Sequence, residues 1–236
     1  MALRYYIKRI VPKKWISFYK YEIRKKNSSE FKDVLIKDVF DTIYNTNQWN
    51  SSESISGDGS EIEKTKDLVI GLNQLNVNYK IGSILDIPCG DFNWIKNIDL
   101  TNITYIGADI VKDLITINNN SFSTEKISFM YADITKDDLP KSDLIFCRDC
   151  LVHLSFRDVY RALKKIKKSN STYLLTTSFV DNQINKDIVT GQWRPINFLK
   201  SPFNFSKPLF TIVENSDLKY PDKSVSLWKV KSIRIN

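Results

Sequence analysis

Apolar and polar positions follow two periods along this chain. From residue 83 onward, short apolar runs rich in β-branched residues recur at 83–87, 104–110, 127–134, 144–149 and 172–179. Between them, apolar residues take helical spacing at about 91–98, 111–119 and 156–168. Apolar strands that alternate with helices favour right-handed crossovers and a parallel sheet buried on both faces. We therefore predict an α/β fold with a Rossmann-like, doubly wound, mostly parallel sheet.

Two more strand candidates, 209–215 and 224–230, are separated by a short turn with Pro221. We expect them to form an antiparallel hairpin at the C-terminal edge, which makes the sheet seven-stranded. Residues 180–208 lie between this hairpin and the fifth strand and exceed an ordinary connection in length. This segment is predicted to be a substrate lid, about 180–208.

Upstream of the sheet, residues 46–60 form a polar loop rich in Ser, Asn and Gly that contains Trp49. Ser60 and Glu63 match a capping box and predict that a helix begins there. Ser155 with Asp158 predicts the start of the helix over 156–168. We place the main domain at 46–236 and a helical extension at 1–45.

The predicted extension accounts for the entire net charge of the chain. Residues 1–26 contain nine Lys or Arg and one Glu, which equals the formal net charge of +8, so the rest of the chain is neutral. Aromatic residues at helical spacing between these bases favour peripheral membrane association through residues 1–26. Packing of this segment on its own domain is the alternative. Nucleic acid is disfavoured as a partner because the body carries no basic excess.

Composition narrows the class of protein. The chain has 236 residues, 42% hydrophobic and 26% charged, which is normal for a globular domain. It lacks a run of roughly 20 apolar residues and a signal-peptide pattern. Three cysteines cannot form a closed disulfide framework. We expect a cytoplasmic protein, with the inner face of the membrane as an alternative, and leave its oligomeric state open.

Carboxylates follow three successive predicted strands. Asp86, Asp109 and Asp133 come at the ends of the first, second and third strands, where ligands bind in open α/β sheets. Asp109 follows Asp86 at close to the roughly 20-residue spacing of an acid that binds ribose hydroxyls. The first turn holds one glycine, Gly90, among acids, which suits a cationic or zwitterionic ligand better than a pyrophosphate. Each acid alone could cap a helix, whereas together they predict a nucleoside-type ligand.

The ordered segments LDIPCGDF, YIGADI, YADI and DLIFCRDCLVHL resemble the motifs of class I S-adenosylmethionine-dependent methyltransferases over about residues 83–180. The resemblance implies that Asp86 and Gly90 hold the methionine part of the cofactor and that Asp109 binds its ribose. Asp133 and Ile134 would then bind its adenine. Pro88 and Phe92 stand where the family commonly has glycine. The remaining expected cofactor residues are Trp49, Ser56, Gly57, Pro88, Cys89, Asp91, Ile110 and Arg148.

The variant IPCGDFNW also resembles a bacterial subgroup associated with surface-polysaccharide biosynthesis. Members of this subgroup share a Trp and an SGxGS segment, here Trp49 and Ser56–Ser60, and a GxWRPxN segment, here Gly191–Asn197. The subgroup implies O-methylation of a sugar hydroxyl in a cell-surface glycan or its precursor, with S-adenosyl-L-homocysteine as the product. Trp193 and Arg194 are the expected substrate-binding residues.

Transfer of a methyl group to a hydroxyl needs a proton acceptor. His153 and Asp149, after the fourth strand, are the two candidates, and a structural role for His153 is the alternative. Arg148 is a candidate for binding the cofactor carboxylate. Cys147 and Cys150 form a CxxC without the second pair that a zinc site needs, so no metal site is predicted. Two other functions stay open: a nucleic-acid methyltransferase that uses the basic arm, and a non-catalytic S-adenosylmethionine-binding protein.

Overall fold

The computed structural model describes residues 30–215 and 219–235. Seven strands lie in these ranges: β1 Ser83–Asp86, β2 Thr104–Asp109, β3 Ile127–Tyr131, β4 Leu144–Cys147, β5 Tyr173–Phe179, β6 Phe210–Val213 and β7 Lys223–Lys229. The α-helices are α1 Ile36–Asn45, α2 Lys66–Asn78, α3 Lys112–Phe122 and α4 Phe156–Lys168. The expectations for residues 1–29, including membrane association of 1–26, lie outside the described residues. Across the described ranges, no helix combines the length and apolar character that crossing a membrane requires.

The strands form one sheet in the order β3-β2-β1-β4-β5-β7-β6. The first five are parallel, and β7 is antiparallel to both β5 and β6. The predicted seven-stranded, mostly parallel sheet is therefore confirmed, together with its antiparallel C-terminal pair. Because β7 lies between β5 and β6, it is β6 that forms the edge.

Both faces of the sheet are buried, as the continuous apolar strands predict. One apolar cluster includes Val159, Leu163 and Ile166 of α4, and the other includes Leu68 and Leu75 of α2. The predicted cap of α4 is confirmed, because the Ser155 side chain accepts a hydrogen bond from the Asp158 backbone N–H.

Two predicted helix positions are wrong. The helix expected from Ser60 begins at Lys66, and the residues before it form two short 3₁₀ turns, Asp58–Ser60 and Glu63–Thr65. The helix expected over 91–98 is reduced to the 3₁₀ turn Ile95–Asn97. A right-handed helix cannot run through Phe92, because its φ of +55° lies in the left-handed region.

Part of the segment predicted to be a lid, 180–208, packs into the core. Ile196, Phe198, Phe203 and Phe205 are buried in the same cluster as Trp228 of β7. A segment that buries this much apolar surface cannot lift away without exposing it to water. Movement of residues 196–205 would carry this cost, and the lid over about 180–208 stays a prediction.

Helix α1 packs against the beginning of that segment. Val39 and Ile43 are buried with Phe31, and Val189 packs on this cluster. Gly191 makes the close approach possible: its φ is +99°, and an added Cβ would lie 2.5 Å from a methyl carbon of Val39. The described part of the predicted extension, residues 30–45, thus packs on the main domain. The domain boundary at residue 45 stays a prediction.

Candidate functional site

A cavity of about 750 Å³ opens at the carboxyl ends of the parallel strands. Its wall includes every predicted site residue except Arg194: Trp49, Ser56, Gly57, Asp86, Pro88, Cys89, Gly90, Asp91, Asp109, Ile110, Asp133, Ile134, Arg148, Asp149, His153 and Trp193. A volume of this size is typical of small-molecule sites.

Asp86 lies at the end of β1 and is 4% exposed. The hydroxyl of Tyr105 donates a 2.6 Å hydrogen bond to its carboxylate. Burial raises the pKa of Asp86 to about 7, because taking the charge out of water costs more than the Tyr105 hydrogen bond returns. A cationic ligand group in this cavity would therefore favour the ionised form of Asp86.

Asp109 is the last residue of β2, the strand next to β1. Its carboxylate accepts hydrogen bonds from the backbone N–H groups of Gly90, at 3.1 Å, and Val111, at 2.9 Å. Burial raises the pKa of Asp109 to about 6, although the backbone donors oppose this shift. The Ile110 N–H also stabilises the carboxylate. A carboxylate can accept about four hydrogen bonds, so capacity for a ligand donor remains.

Asp91 joins the β1 turn to the polar loop over residues 54–60. Its carboxylate accepts from the hydroxyls of Ser54 and Ser56 and from the Ile55 N–H, while its own N–H donates to Ser56 Oγ. Gly90 has a φ of +55°, and a Cβ there would lie 2.1 Å from Ser56 Oγ. Asp91 therefore holds the loop and does not present a free carboxylate to the cavity.

Asp133 has a local partner as well. Its Oδ1 accepts hydrogen bonds from the N–H and the hydroxyl of Thr135, at 2.8 and 2.7 Å. Ile134 is buried and lines the cavity beside it. Asp133 thus caps its own turn, while the apolar side chain of Ile134 forms part of the wall.

An ion cluster lies at the other side of the cavity. Arg148 binds the carboxylate of Glu214 through Nε and Nη2, at 3.1 and 2.6 Å, and Nη2 also donates to the Gly59 carbonyl. Lys223 lies 2.6 Å from Asp149 and 3.2 Å from Glu214. These contacts occupy much of Arg148, which lines the cavity and holds the loop at Gly59.

Asp149 is a poor proton acceptor in this setting. Burial opposes its ionisation, but Lys223 and Arg148 outweigh that effect and hold the pKa of Asp149 well below its ordinary value. Its backbone adopts a φ of +49°, and its N–H donates to Thr177 Oγ1. A carboxylate this acidic stabilises nearby positive charge instead of taking up a proton.

His153 belongs to the 3₁₀ turn Leu151–His153 after β4. Its Nδ1 lies 3.0 Å from the Gln192 carbonyl oxygen, which can only accept, so Nδ1 carries the hydrogen. Burial lowers the pKa of His153 to about 4. The ring is therefore neutral near pH 7, and Nε2 is the nitrogen that can accept a proton. Trp49 packs on the ring with centroids 5.4 Å apart.

Aromatic rings line the cavity near His153. Trp193 lies 5.0 Å from Tyr220 and 5.8 Å from Phe179 between ring centroids, and the Lys219 ammonium lies 4.6 Å from the Tyr220 centroid. Phe179 and Tyr220, like Lys223 and Glu214, were not predicted as site residues. The strand-end position of Phe179 was a usable signal, whereas no local pattern marks the other three.

Arg194 is the one predicted site residue that does not line the cavity. It is 5% exposed, and its guanidinium donates to the backbone carbonyls of Lys186, Leu151, Val152 and Leu154. These hydrogen bonds give Arg194 a structural role, because they hold the surrounding backbone in place. Its predicted contact with substrate stays a prediction.

The three cysteines are free. Within 30–215 and 219–235, no group of three or more His, Cys, Asp or Glu side chains is arranged to hold a metal ion.

No protein-family model and no curated protein sequence matches this chain. Among solved structures, magnesium protoporphyrin IX methyltransferase from Synechocystis PCC 6803, with bound S-adenosylmethionine, matches with a TM-score of 0.53 and 13% identity. The match covers 83% of this chain and 97% of that chain. PigF with S-adenosylhomocysteine matches with a TM-score of 0.52 and 13% identity over 71% of this chain.

An S-adenosylmethionine-dependent methyltransferase from Clostridium acetobutylicum matches over 54% of this chain with a TM-score of 0.42 and 19% identity. The present chain spans 58% of that protein and 56% of PigF, a little over half of each. At these identities the likeness to the Synechocystis enzyme and PigF shows the fold: this chain has the Rossmann-like methyltransferase fold.

Proposed function

We propose that this chain is an S-adenosylmethionine-dependent methyltransferase and that its acceptor is a sugar hydroxyl in a cell-surface glycan or its precursor. One observation carries the proposal. Asp86 and Asp109, at the ends of adjacent strands of a methyltransferase-type sheet, share a cavity with His153, a neutral histidine.

The residues present fit the cofactor. Asp109 keeps capacity to accept a hydrogen bond from a ribose hydroxyl beside its backbone N–H partners. Asp86 adds buried negative charge, which suits a ligand that carries a sulfonium and an ammonium group. Ile134 and Leu114 supply apolar wall for a flat base. Bound there, S-adenosylmethionine would supply an electrophilic methyl group.

His153 is the residue we assign to the proton of the acceptor hydroxyl. Its Nδ1 is held by the Gln192 carbonyl, so Nε2 takes the proton as the hydroxyl oxygen gains the methyl group. Asp149 then stabilises the imidazolium through its negative charge, which raises the affinity of His153 for the proton. Trp49 packs on the ring with its centroid 5.4 Å away.

The acceptor class rests on the aromatic wall and on the resemblance to polysaccharide-associated methyltransferases. Trp193 and Tyr220 meet at a tilt of 53°, and both line the cavity with Trp49. The flat apolar face of a sugar ring packs well on such rings, while its hydroxyls find polar partners at the edge. His153 lies on this same side of the cavity.

Ligand binding tests the cofactor. We expect S-adenosylmethionine and S-adenosylhomocysteine, at about 100 times their Kd, to raise the unfolding midpoint by about 5 to 10 °C. NADH at the same concentration is the control and should give no shift. A shift with NADH alone, or no shift with either adenosyl ligand, would contradict the proposal.

Transfer of a labelled methyl group tests the acceptor. Nucleotide sugars and bacterial surface oligosaccharides should accept label, whereas RNA and DNA oligonucleotides should not. Label on nucleic acid, with retention that weakens steeply with salt, would instead identify a nucleic-acid methyltransferase. Binding of the cofactor without transfer to any of these acceptors would support a non-catalytic binding protein.

A further inference from the structure

The side chain of Arg194 spans two segments that are distant in the chain. Nη1 donates to the carbonyls of Leu151 and Val152, and Nη2 donates to that of Leu154, at distances from 2.7 to 3.0 Å. Nε donates to the Lys186 carbonyl on the other segment. Three of the four acceptors therefore belong to residues 151–154, the turn that carries His153.

Backbone contacts join the same two segments. The Gly191 N–H donates to the His153 carbonyl at 2.8 Å, and the Arg194 N–H donates to the Val152 carbonyl at 3.1 Å. Between these two bonds, the Gln192 carbonyl meets His153 Nδ1. The position of the Gln192 carbonyl is therefore set by contacts on either side of it.

We propose that Arg194 is a positioning residue that holds residues 151–154 against residues 186–194, so that the Gln192 carbonyl keeps the hydrogen on Nδ1 and leaves Nε2 of His153 as the acceptor. The catalytic consequence rests on the proposed function, because it needs His153 to be the base. The positioning itself does not.

The chemistry of the side chain explains why arginine occupies this position. A planar guanidinium has five N–H donors in a fixed fork, so one side chain can hold several carbonyls in defined places. Phe156 packs on the guanidinium, with Cζ 5.3 Å from the ring centroid. A lysine has one nitrogen on a flexible stem and would leave buried carbonyls without a donor, which is unfavourable.

The charged groups that face His153 come from three elements: Asp149 after β4, Lys223 on β7 and Arg194 itself. Substituting Arg194 by lysine keeps all three charges. A change in the tautomer or the pKa of His153 in that variant therefore reports the loss of the guanidinium hydrogen bonds and not the loss of a charge.

Nitrogen-15 NMR gives a direct test, since His153 is the only histidine in the chain. In the wild type we expect the Nδ1–H tautomer at pH 7. The Nε2–H tautomer there would overturn the proposal, and this measurement needs no variant.

In Arg194→Lys we expect a mixture of tautomers and a His153 pKa at least one unit above the wild-type value, closer to the ordinary 6.5, because the loosened ring regains water. Asn185→Ala is the matched control. Asn185 also ties this segment together, through the carbonyls of Asn197 and Ser201, but does not touch the His153 turn. A wild-type signal in Arg194→Lys, or the same change in Asn185→Ala, would overturn the proposal.

Kinetics separate this inference from the proposed function. If His153 is the base, Arg194→Lys should lower kcat about tenfold or more while the Kd for S-adenosylhomocysteine stays within about twofold. Arg194→Lys could change the tautomer of His153 and leave methyl transfer unaffected. In that case Arg194 does position the His153 turn, but His153 is not the base. Unchanged NMR with lowered kcat would overturn the positioning.

Discussion

The two sides of the cavity are built from different kinds of residues. On one side, Asp86 and Asp109 extend directly from the ends of β1 and β2, and their partners are backbone groups or a neighbouring strand. On the other side, His153 and Trp193 lie on a short turn and an irregular segment. We call these the carboxylate side and the aromatic side.

The difference has a physical cause. Parallel strands in register bring their carboxyl ends to one edge, so the carboxylate side needs little beyond the sheet itself. The aromatic side requires residues 186–194 to be held on the turn at residues 151–154, which takes the buried guanidinium of Arg194. The first side should therefore tolerate changes in the second.

The largest expected effect is a loss of catalysis on the aromatic side that leaves cofactor binding on the carboxylate side unchanged. His153→Gln should lower kcat by about 10² to 10⁴, the usual contribution of a general base, because glutamine has no group that takes up the proton. The Kd for S-adenosylhomocysteine, measured by calorimetry, should stay within about twofold. Activity near that of the wild type would show that another group, or positioning alone, removes the proton.

The next effect falls on the carboxylate side. Asp109→Asn should weaken S-adenosylhomocysteine binding about 10- to 100-fold, since hydrogen bonds to a charged acceptor contribute about 1.5 to 3 kcal/mol. Asp113→Asn, on an exposed residue of α3 that does not line the cavity, is the matched control. Equal affinity in the two variants would mean that Asp109 does not bind the ribose.

A pH titration sharpens the assignment. The pKa of Asp109 is about 6, and hydroxyl donors of a ligand would stabilise its ionised form and lower that pKa. Binding then releases a proton at low pH, so affinity should fall about fivefold as the pH drops from 6 to 5. Calorimetry from pH 5 to 8 checks this. If Asp109→Asn keeps the same pH dependence, the titrating group is a different one, and Asp86 is the first to examine.

The smallest effect concerns the aromatic side. Trp193→Leu removes ring contacts with Tyr220 and Phe179 and should raise the acceptor KM about 2- to 10-fold, in line with about 0.5 to 1.5 kcal/mol for an aromatic contact. The cofactor KM should not change. Equal changes in both constants would indicate a general loosening of the cavity and would remove the distinction between its two sides.

Local patterns predicted most of the carboxylate side. Asp86, Asp109 and Gly90 stand at the ends of apolar runs that were correctly predicted to be strands, and they line one cavity. Asp91 also lines the cavity, but its carboxylate accepts hydrogen bonds from Ser54 and Ser56, which lie 35 or more positions away in the chain. Its contact with the cofactor stays a prediction. The helix predicted over 91–98 is wrong because Phe92 adopts a φ of +55°, which the spacing of apolar residues does not reveal.

The sequence by itself determined the order of the strands and helices, the mostly parallel sheet and the edge at which its carboxylates lie, because each follows from the period of apolar positions and from chain connectivity. Only the tertiary structure decided the roles of Arg194, Glu214 and Lys223. Arg194 contacts Leu154, Glu214 contacts Arg148 and Lys223 contacts Asp149, and these pairs are 40, 66 and 74 positions apart in the chain. Such contacts depend on where the folded sheet brings side chains together, and no local spacing records that.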